Sequence, residues 1–308
     1  MGNTDNYNKE VRITPRTDLI FKNIFGKKGN ENILEDLLES ILGERVKVKN
    51  IYKNEELDAE NVYGKKAIID IKAELKNDKI IDIEMQNGKY SYYDKRVLYY
   101  LSKLIISQVK SGEEYAKIKE VIVINILNYK IPKVKEYITK CHISNDNDYF
   151  VKGATVYFIQ LPRFEEERKI LNPSSKYEDI IKSKLDEWCI FLSDKNREVR
   201  DMAAKKNFNL EEAIRQYEEL SSIPEVVEIS FRRQMAEMDR KASERYAKEK
   251  GMAEGRRKGR REGREEGRAE GRTESKKEIA KNLLKQKVNM QIIINATGLT
   301  KEEIEKCS

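Results

Sequence analysis

Residues 66–87 read KAIIDIKAELKNDKIIDIEMQN, and this stretch decides the fold. Each half alternates apolar and polar residues with a period of two, the pattern of a β-strand with one buried face. The short polar break between the halves suits a hairpin turn, in which Asn77 and Asp78 tolerate the left-handed conformation. The two apolar faces of the predicted hairpin are formed by Ala67, Ile69, Ile71, Ala73 and Leu75 in the first strand and by Ile81, Ile83 and Met85 in the second.

The register of this hairpin determines which polar residues meet. Both apolar faces must lie on one side of the sheet, because a slip of one residue exposes one of them. A loop of three residues meets this condition, pairs Lys72 with Asp82 and pairs Asp70 with Glu84. Opposed Cβ atoms lie roughly 4.5–5.5 Å apart, and two carboxylates that close repel each other unless a cation separates them or one is protonated. The functional interpretation of this pattern is a divalent-metal site, with Gln86 on the same face. The alternative is a solvated face on which Lys72 neutralises the acids.

Composition and charge limit the class of protein. The 308 residues are 39% hydrophobic and 37% charged, a length that allows one large domain or two smaller ones. The charged fraction exceeds the usual ~25%, so we expect part of the chain to be solvated helix. The net charge of +7 permits nucleic-acid binding without requiring it.

Cysteine, histidine and apolar content narrow the chemistry and the location. Cys141, Cys189 and Cys307 are widely spaced, which suits a reducing cytosol and excludes a disulfide framework or zinc cluster. The single histidine, His142, excludes a His-dependent triad and a multi-histidine zinc site, and we expect it in a loop. No apolar run approaches ~18 residues and no signal peptide begins the chain, so we expect a soluble, cytoplasmic protein without a membrane segment.

The remaining elements predict an α/β fold. A short helix begins at Thr17 or Asp18, either of which is a suitable N-cap, and a second helix runs from Asn30 to Gly43. A strand precedes the hairpin, and a helix and an apolar strand at residues 121–127 follow it. The order is helix, three strands, helix, strand. A strand that arrives after a helix is expected to lie parallel to a neighbour, so the αβββαβ core should carry a mixed sheet.

This order of elements, with the residues that it carries, resembles the PD-(D/E)XK nuclease superfamily. More closely, it resembles the branch of recombination-promoting nucleases (Rpn) and transposases. The matching pieces are residues 17–22 (TDLIFK), Asp70 on the second strand, Glu84-Met85-Gln86 on the third strand and residues 96–104 on the next helix. The resemblance continues to the C-terminus and implies a restriction-endonuclease-like core.

The resemblance also implies an activity: a DNA endonuclease that hydrolyses phosphodiester bonds with Mg²⁺, or with Mn²⁺ in its place, in recombination, transposition or phage defence. Asp70 and Glu84 would be metal ligands, and Asp18 would orient a water or a second ion. Gln86 stands where the superfamily usually has lysine; glutamine can hold the attacking water but adds no positive charge. The alternatives are that Asp18 is only a helix cap and that Gln86 is a surface residue.

Basic residues near these acids could contact DNA. Lys22, Lys66, Lys89 and Arg96 lie close to them in sequence, and phosphate contacts of this kind give affinity and position without reading the base sequence. For each of them, the alternative is a solvated surface side chain.

The rest of the chain predicts assembly regions. We divide the sequence into a nuclease-like core (1–165), a helical region (166–247), a glycine-repeat segment (248–275) and a small helical unit (276–308). The repeat is charged and carries a glycine at every fourth position, which suits either a self-association helix or a flexible linker, and it comprises Gly251, Gly255, Gly259, Gly263, Gly267 and Gly271.

The C-terminal unit predicts three short helices. Thr300 and Glu303 form a capping box for the last of them, and the glycine turn before it suits a helix-turn-helix unit. Its function is either DNA reading or structural capping and dimerisation. For the whole chain, the alternatives to the endonuclease are a catalytically weak or inactive DNA-binding or regulatory module that oligomerises through its C-terminal helices, and a purely structural oligomer.

Overall fold

The computed structural model describes residues 13–57, 67–144 and 150–307. The chain divides into two compact units, residues 1–234 and 235–308. Each unit has hydrophobic clusters of its own. The predicted four-part division into 1–165, 166–247, 248–275 and 276–308 stays a prediction.

The first unit is built on a mixed sheet, which confirms the predicted α/β fold class. The strand order is β1-β2-β3-β4-β6-β5; β4 is parallel to both of its neighbours, β3 and β6, and the other pairs are antiparallel. The final strand of the predicted core, β4, therefore lies parallel to β3 as expected. The strands in the described residues are β1 Val48–Leu57, β2 Ala67–Leu75, β3 Ile80–Gln86, β4 Val121–Leu127, β5 Ile138–Ser144 and β6 Phe150–Gln160.

Helices cover both faces of this sheet. The first face carries α1 and α2, and the opposite face carries α3. The helices after the sheet join α1 and α2 in one hydrophobic cluster, in which residues such as Trp188 and Leu210 pack with Phe21 and Leu34. The helices of this unit are α1 Asp18–Phe25, α2 Glu31–Leu42, α3 Tyr93–Ile106, α4 Leu161–Glu167, α5 Tyr177–Ile180, α6 Lys184–Ser193, α7 Arg197–Ala204, α8 Phe208–Ser222 and the first turns of α9 Pro224–Lys285.

The hairpin has the predicted register. Lys72 pairs with Asp82, and the paired ladder ends at Ile71 and Ile83. Asp78 takes the left-handed conformation in the turn, with a φ of 60°, which its short polar side chain tolerates. The structure therefore fixes which faces of β2 and β3 carry the acids.

The acid-bearing face of β3 is buried, so the alternative of a solvated polar face is wrong for this strand. Asp82, Glu84 and Gln86 are 0%, 2% and 6% exposed. The reason is the position of β3 between β2 and β4, with α3 packed on that face through Val97, Leu101 and Leu104. One apolar residue departs from strict alternation: Ile69 packs with this second cluster, whereas Ile71 packs with α1 and α2.

Helix α1 lies against the opposite face of the hairpin. Its apolar residues Ile20, Phe21, Ile24 and Phe25 are fully buried, and each such burial contributes roughly 1.5–3 kcal/mol. The helix begins at Asp18 with Thr17 in the N-cap position. This packing fixes the direction in which the polar residues of α1 project.

Two elements differ from the sequence expectation. Strand β5 was not predicted, and His142, expected in a loop, lies on it. Apolar spacing predicts one helix over residues 177–192, but the structure has two helices there, because Ser183 and Asp186 form a capping box that begins α6. Such a box starts a new helix even where the apolar spacing continues.

The second unit contains most of α9, followed by α10 Met290–Thr297 and α11 Lys301–Glu305. The glycine repeat lies within α9, so the structure has this segment helical rather than as an irregular linker. The predicted capping box of Thr300 and Glu303 is present. A small hydrophobic cluster closes the unit, formed by Ala280, Ile293, Leu299 and Ile304.

Two broader properties can be read from the described part of the chain. None of its helices is long and apolar enough to span a lipid bilayer. The three cysteines are free thiols, with Cys189 buried and Cys141 exposed.

Candidate active site

The strands β2 and β3 exchange side-chain hydrogen bonds where their backbone ladder ends. One residue beyond the Ile71–Ile83 pair, the backbone N–H of Asp70 donates to Oε1 of Glu84 at 3.1 Å. The backbone N–H of Met85 donates to Oδ2 of Asp70 at 3.3 Å. The two acids predicted to face each other are therefore brought together, and each holds the backbone of the other strand.

Helix α1 brings Lys22 to these acids. Its Nζ lies 2.6 Å from Oδ1 of Asp18 and 2.8 Å from Oδ1 of Asp70, and it donates to Oδ1 of Asn54 at 2.8 Å. Lysine has three N–H donors, and these three acceptors match them. Lys22 is only 8% exposed. In this arrangement the ammonium is enclosed by acceptors, and the expectation that Lys22 contacts DNA stays a prediction.

Asp18 is a member of the acid cluster and not the cap of α1. Thr17 occupies the N-cap position, so the helix-cap alternative for Asp18 is wrong. The carboxylate instead contacts Lys22 through one oxygen and accepts a hydrogen bond from Nη1 of Arg233 at 2.6 Å through the other. Asp18 thus links α1 to the first turns of α9.

Burial controls the charges of the acids. Burial raises the pKa of Glu84 to about 8, and the charge of Asp70 adds to this effect while Arg96 opposes it. Burial also raises the pKa of Asp70, although Lys22 favours its ionised form. For Lys22 itself, burial lowers the pKa, and the contacts with Asp70 and Asp18 outweigh that effect and raise it. Burial and mutual repulsion therefore disfavour the ionised forms of both carboxyls, and a bound cation would favour them.

Gln86 completes the buried polar face. Its Nε2 donates to Oε2 of Glu84 at 3.0 Å, and the residue is buried beside β4. The surface-residue alternative is therefore wrong. The Gln86 amide orients Glu84 but carries no charge. A lysine, which the resemblance to the nuclease superfamily leads one to expect at this position, would carry one.

Among the other residues predicted to bind DNA, Arg96 is the one that lies beside the acids. Its Nη2 is 3.6 Å from Oε2 of Glu84, and its guanidinium lies 5.0 Å from the centroid of the Tyr100 ring and 5.8 Å from that of Tyr90. Lys89 is exposed before α3, and Lys66 lies outside the described residues.

Sequence reasoning missed Arg233 and Asn54. Arg233 lies 215 positions after Asp18, and no local pattern signals a contact at that separation. Asn54 has a φ of 55°, a conformation that asparagine tolerates, but one residue of this kind in a strand does not indicate a site.

Two further polar residues support the site next to Glu84. Asn125 lies beside Glu84 on β4 and accepts a hydrogen bond from the Tyr93 hydroxyl at 2.7 Å. The Asn125 amide donates in turn to the backbone carbonyl of Tyr157 at 3.2 Å. These two hydrogen bonds position the start of α3, the helix that carries Arg96. A polar residue within the apolar run of β4 is a signal that could have found Asn125.

The donor set fits a hard divalent cation. Asp70 and Glu84 offer carboxylate oxygens, and each of these oxygens can accept more than one contact. In the described residues, no group of three or more acidic, histidine or cysteine side chains is arranged to hold a metal. Magnesium needs only one or two protein carboxylates, since waters and substrate phosphate supply its other ligands.

Comparison with known proteins identifies a family for the chain. A family model described as PD-(D/E)XK nuclease family transposase matches residues 15–247. The match includes Asp18, Asp70, Glu84 and Gln86. No curated protein and no solved structure matches the chain. PD-(D/E)XK nucleases generally use divalent metal ions, and the family description indicates a nuclease-like or transposase-related role. Because the match spans most of the sequence, the chain belongs to the PD-(D/E)XK nuclease family transposases.

Proposed function

We propose that this protein is a Mg²⁺-dependent DNA endonuclease whose active site is the Asp70–Glu84 pair. The observation that carries the proposal is the pair itself: a buried and a half-buried carboxylate that each accept a hydrogen bond from the backbone of the other strand, with the pKa of both raised. A purely structural role would favour replacing such a pair with apolar residues, because buried charge is costly. Groups with perturbed pKa values that are held together in this way are typical of functional sites.

Each side chain then has a role in hydrolysis. Asp70 and Glu84 would hold the divalent ion, which lowers the pKa of water and stabilises negative charge on the phosphate. Gln86 keeps Glu84 oriented with one amide N–H, and the rest of its amide can hold the attacking water. Arg96 is close enough to the acids to donate to phosphate oxygens. Asp18 supports the site through Lys22, and the exposed Lys89 would contact the DNA backbone. The same role for Lys66 stays a prediction.

The second candidate is a DNA-binding or regulatory module with little or no catalysis. It is favoured by Gln86, whose neutral amide stands at the position where lysine would supply charge. The two candidates predict the same contacts with DNA phosphates, so binding alone does not separate them. Cleavage does.

Nicking of supercoiled plasmid tests the proposal. Wild type and Asp70→Ala are purified in parallel and incubated with Mg²⁺, and a sample with a chelator serves as the control. We expect wild type to cut with Mg²⁺ and the variant to be inactive. Equal cutting by both proteins would overturn the assignment of Asp70. DNA binding without cutting by either protein, in Mg²⁺ or Mn²⁺, would establish the binding module instead.

We also propose that the chain forms a homo-oligomer through α9. Residues 259–274 repeat Gly-Arg-X-Glu four times, and the segment is helical and exposed. Positions four apart lie on one face, so an arginine stripe and a glutamate stripe flank the glycine stripe. Within one helix, like charges four residues apart destabilise. In a parallel pair packed across the glycines, the arginines of one helix would face the glutamates of the other, as at the e and g positions of coiled coils.

Light scattering tests this association. Leucines at Gly259, Gly263 and Gly267 should block close approach and lower the measured mass. The matched control places the same three leucines on another face, at Arg261, Glu265 and Ala269, and should leave the mass unchanged. An unchanged mass in the glycine variant would contradict the proposal. DNA reading by residues 276–308 and a cytoplasmic location stay predictions.

A further inference from the structure

Lys22 has an unusual position for a lysine. It is buried, and its ammonium makes three contacts of 2.6–2.8 Å with Asp18, Asp70 and Asn54. Buried lysines are rare unless they are paired. Two carboxylates from different elements share this one ammonium, so Lys22 joins α1 to β2 at the acid cluster.

The same contacts put Lys22 where a bound cation would act. The ammonium contacts Oδ1 of Asp70, and the backbone N–H of Met85 donates a hydrogen bond to Oδ2. A divalent ion held through Oδ1 of Asp70 would therefore share that oxygen with the ammonium or displace it, and one held through Oδ2 would lie on the same carboxylate as the ammonium. Like charges brought this close repel each other strongly inside a protein. A displaced ammonium would still have Asp18 and Asn54 as acceptors.

We propose that Lys22 is a positioning residue that competes with the divalent cation for Asp70. In the absence of the cation, its ammonium holds the Asp18 and Asp70 carboxylates in place and offsets their charge. When the cation binds at Asp70, the ammonium loses that contact and stays with Asp18 and Asn54. Lys22 therefore weakens cation affinity while it preserves the geometry of the site. This inference rests on the proposed metal-dependent function.

The neighbouring groups support an electrostatic role. Gln86, at the position that usually carries lysine, bonds Glu84 without adding charge. Arg96 lies 3.6 Å from Glu84, whereas Lys22 contacts Asp70 directly. The two acids of the pair thus have different counter-charges, and only Asp70 has an ammonium within hydrogen-bond distance among the residues that the structure describes.

Mn²⁺ binding to the full chain, measured by calorimetry, tests the proposal. Lys22→Met removes the competing charge and keeps a long side chain, so we expect a dissociation constant about tenfold lower than that of wild type, an effect of the size that second contacts exert on metal sites. Lys22→Arg keeps the charge and should retain the wild-type affinity or bind more weakly. Tighter binding by Lys22→Met is a result that structural damage would not produce.

Two control variants separate the possible failures. Lys47→Met removes a lysine from another ion pair, with Glu35 at 2.6 Å, and should not alter Mn²⁺ affinity. Asp70→Asn should abolish the binding. If Asp70→Asn binds Mn²⁺ as wild type does, the proposed metal site itself is wrong. If Asp70→Asn loses binding while Lys22→Met binds no more tightly than wild type, the role of Lys22 is overturned. The role of Lys22 is also overturned if Lys47→Met tightens Mn²⁺ binding as much as Lys22→Met does.

A measurement on wild type covers the case in which Lys22→Met fails to fold. A buried ammonium with three acceptors exchanges its protons slowly, so its ¹⁵N NMR signal is expected in the cation-free protein. Saturating Mg²⁺ should shift this signal as the contact with Asp70 is lost. A signal that does not move at saturation would contradict the proposal.

Discussion

The sequence Ile-Ile-Asp-Ile occurs twice, at residues 68–71 and 80–83, and its two aspartates have opposite surroundings. Asp70 contacts Lys22 and accepts a hydrogen bond from the Met85 backbone. Asp82 is fully buried, and neither of its carboxyl oxygens has a hydrogen-bond partner among the described residues. Identical local sequence thus produces a candidate ligand on β2 and an isolated acid on β3.

The difference arises from the neighbouring strands and helices. Asp70 lies where β2 leaves the ladder with β3 and where α1 delivers a lysine. Asp82 lies between Lys72 on β2 and Val123 on β4, but Lys72 pairs with Glu55 instead. Burial and the charges of Glu84 and Asp70 raise the pKa of Asp82 well above its usual range. Tertiary position, and not the tetrapeptide, decides what each aspartate does.

The largest expected contrast is in DNA cleavage by Asp70→Asn and Asp82→Asn. Removing a residue that merely supports a metal ligand typically costs 10–100-fold, so loss of a direct ligand should reduce cleavage by at least about 100-fold. Asp82→Asn removes an acid that contacts no hydrogen-bonding group in the described residues and should leave cleavage close to wild type. Plasmid nicking rates check this, and equal losses in the two variants would end the functional distinction between the aspartates.

The next largest effect concerns pH. The Glu84 pKa lies near 8 in the folded protein, above its ordinary value of 4.5, so between these values the folded state keeps a proton that the unfolded chain has released. The free energy of unfolding without a divalent cation should therefore fall as pH rises from about 5 to about 8, by a few kcal/mol. Urea unfolding at several pH values measures this pH dependence of the free energy of unfolding. Glu84→Gln should flatten the dependence, and an equally steep fall in that variant would assign the effect to other groups.

A smaller effect is expected from Asp82→Val. Valine suits a buried strand and removes a carboxyl that has no partner, whose burial costs roughly 1–3 kcal/mol. We expect this variant to have a higher free energy of unfolding than wild type at pH 7. A lower value would indicate that Asp82 makes a stabilising contact, and the contrast with Asp70 would then weaken.

The smallest effect is expected at Arg233. Its contact with Asp18 is short, but both side chains are substantially exposed, and exposed ion pairs contribute only about 0.2–1 kcal/mol. Arg233→Ala should therefore change the free energy of unfolding by less than about 1 kcal/mol. A loss comparable to that of a buried residue would show that α9 is a major support of the acid cluster.

Local pattern predicted much of the fold. Alternation in residues 66–87 fixed the hairpin and its register, so the meeting of Asp70 and Glu84 followed from the sequence. Caps and apolar spacing predicted α1, α2 and the capping box at Thr300, and the apolar run predicted β4. These features depend on residues that are close in the chain, where steric and hydrogen-bonding rules apply directly.

What the sequence could not predict depends on residues that are distant in the chain. Burial of Asp82 follows from the central place of β3 and from α3 above it, neither of which alternation encodes. Lys22 was expected to contact DNA because its charge is visible in the sequence, whereas its three acceptors come from α1, β1 and β2. Arg233 joins the cluster from the far end of the unit. Such contacts arise only when the whole unit is assembled.

The central claim is that Asp70 and Glu84 hold a divalent cation. Its most direct test is a crystal of the full chain soaked in Mn²⁺, with anomalous diffraction recorded at the manganese edge. We predict an anomalous peak between the Asp70 and Glu84 carboxylates in wild type and no peak there in Asp70→Asn. A saturated crystal without density at this position would contradict the account.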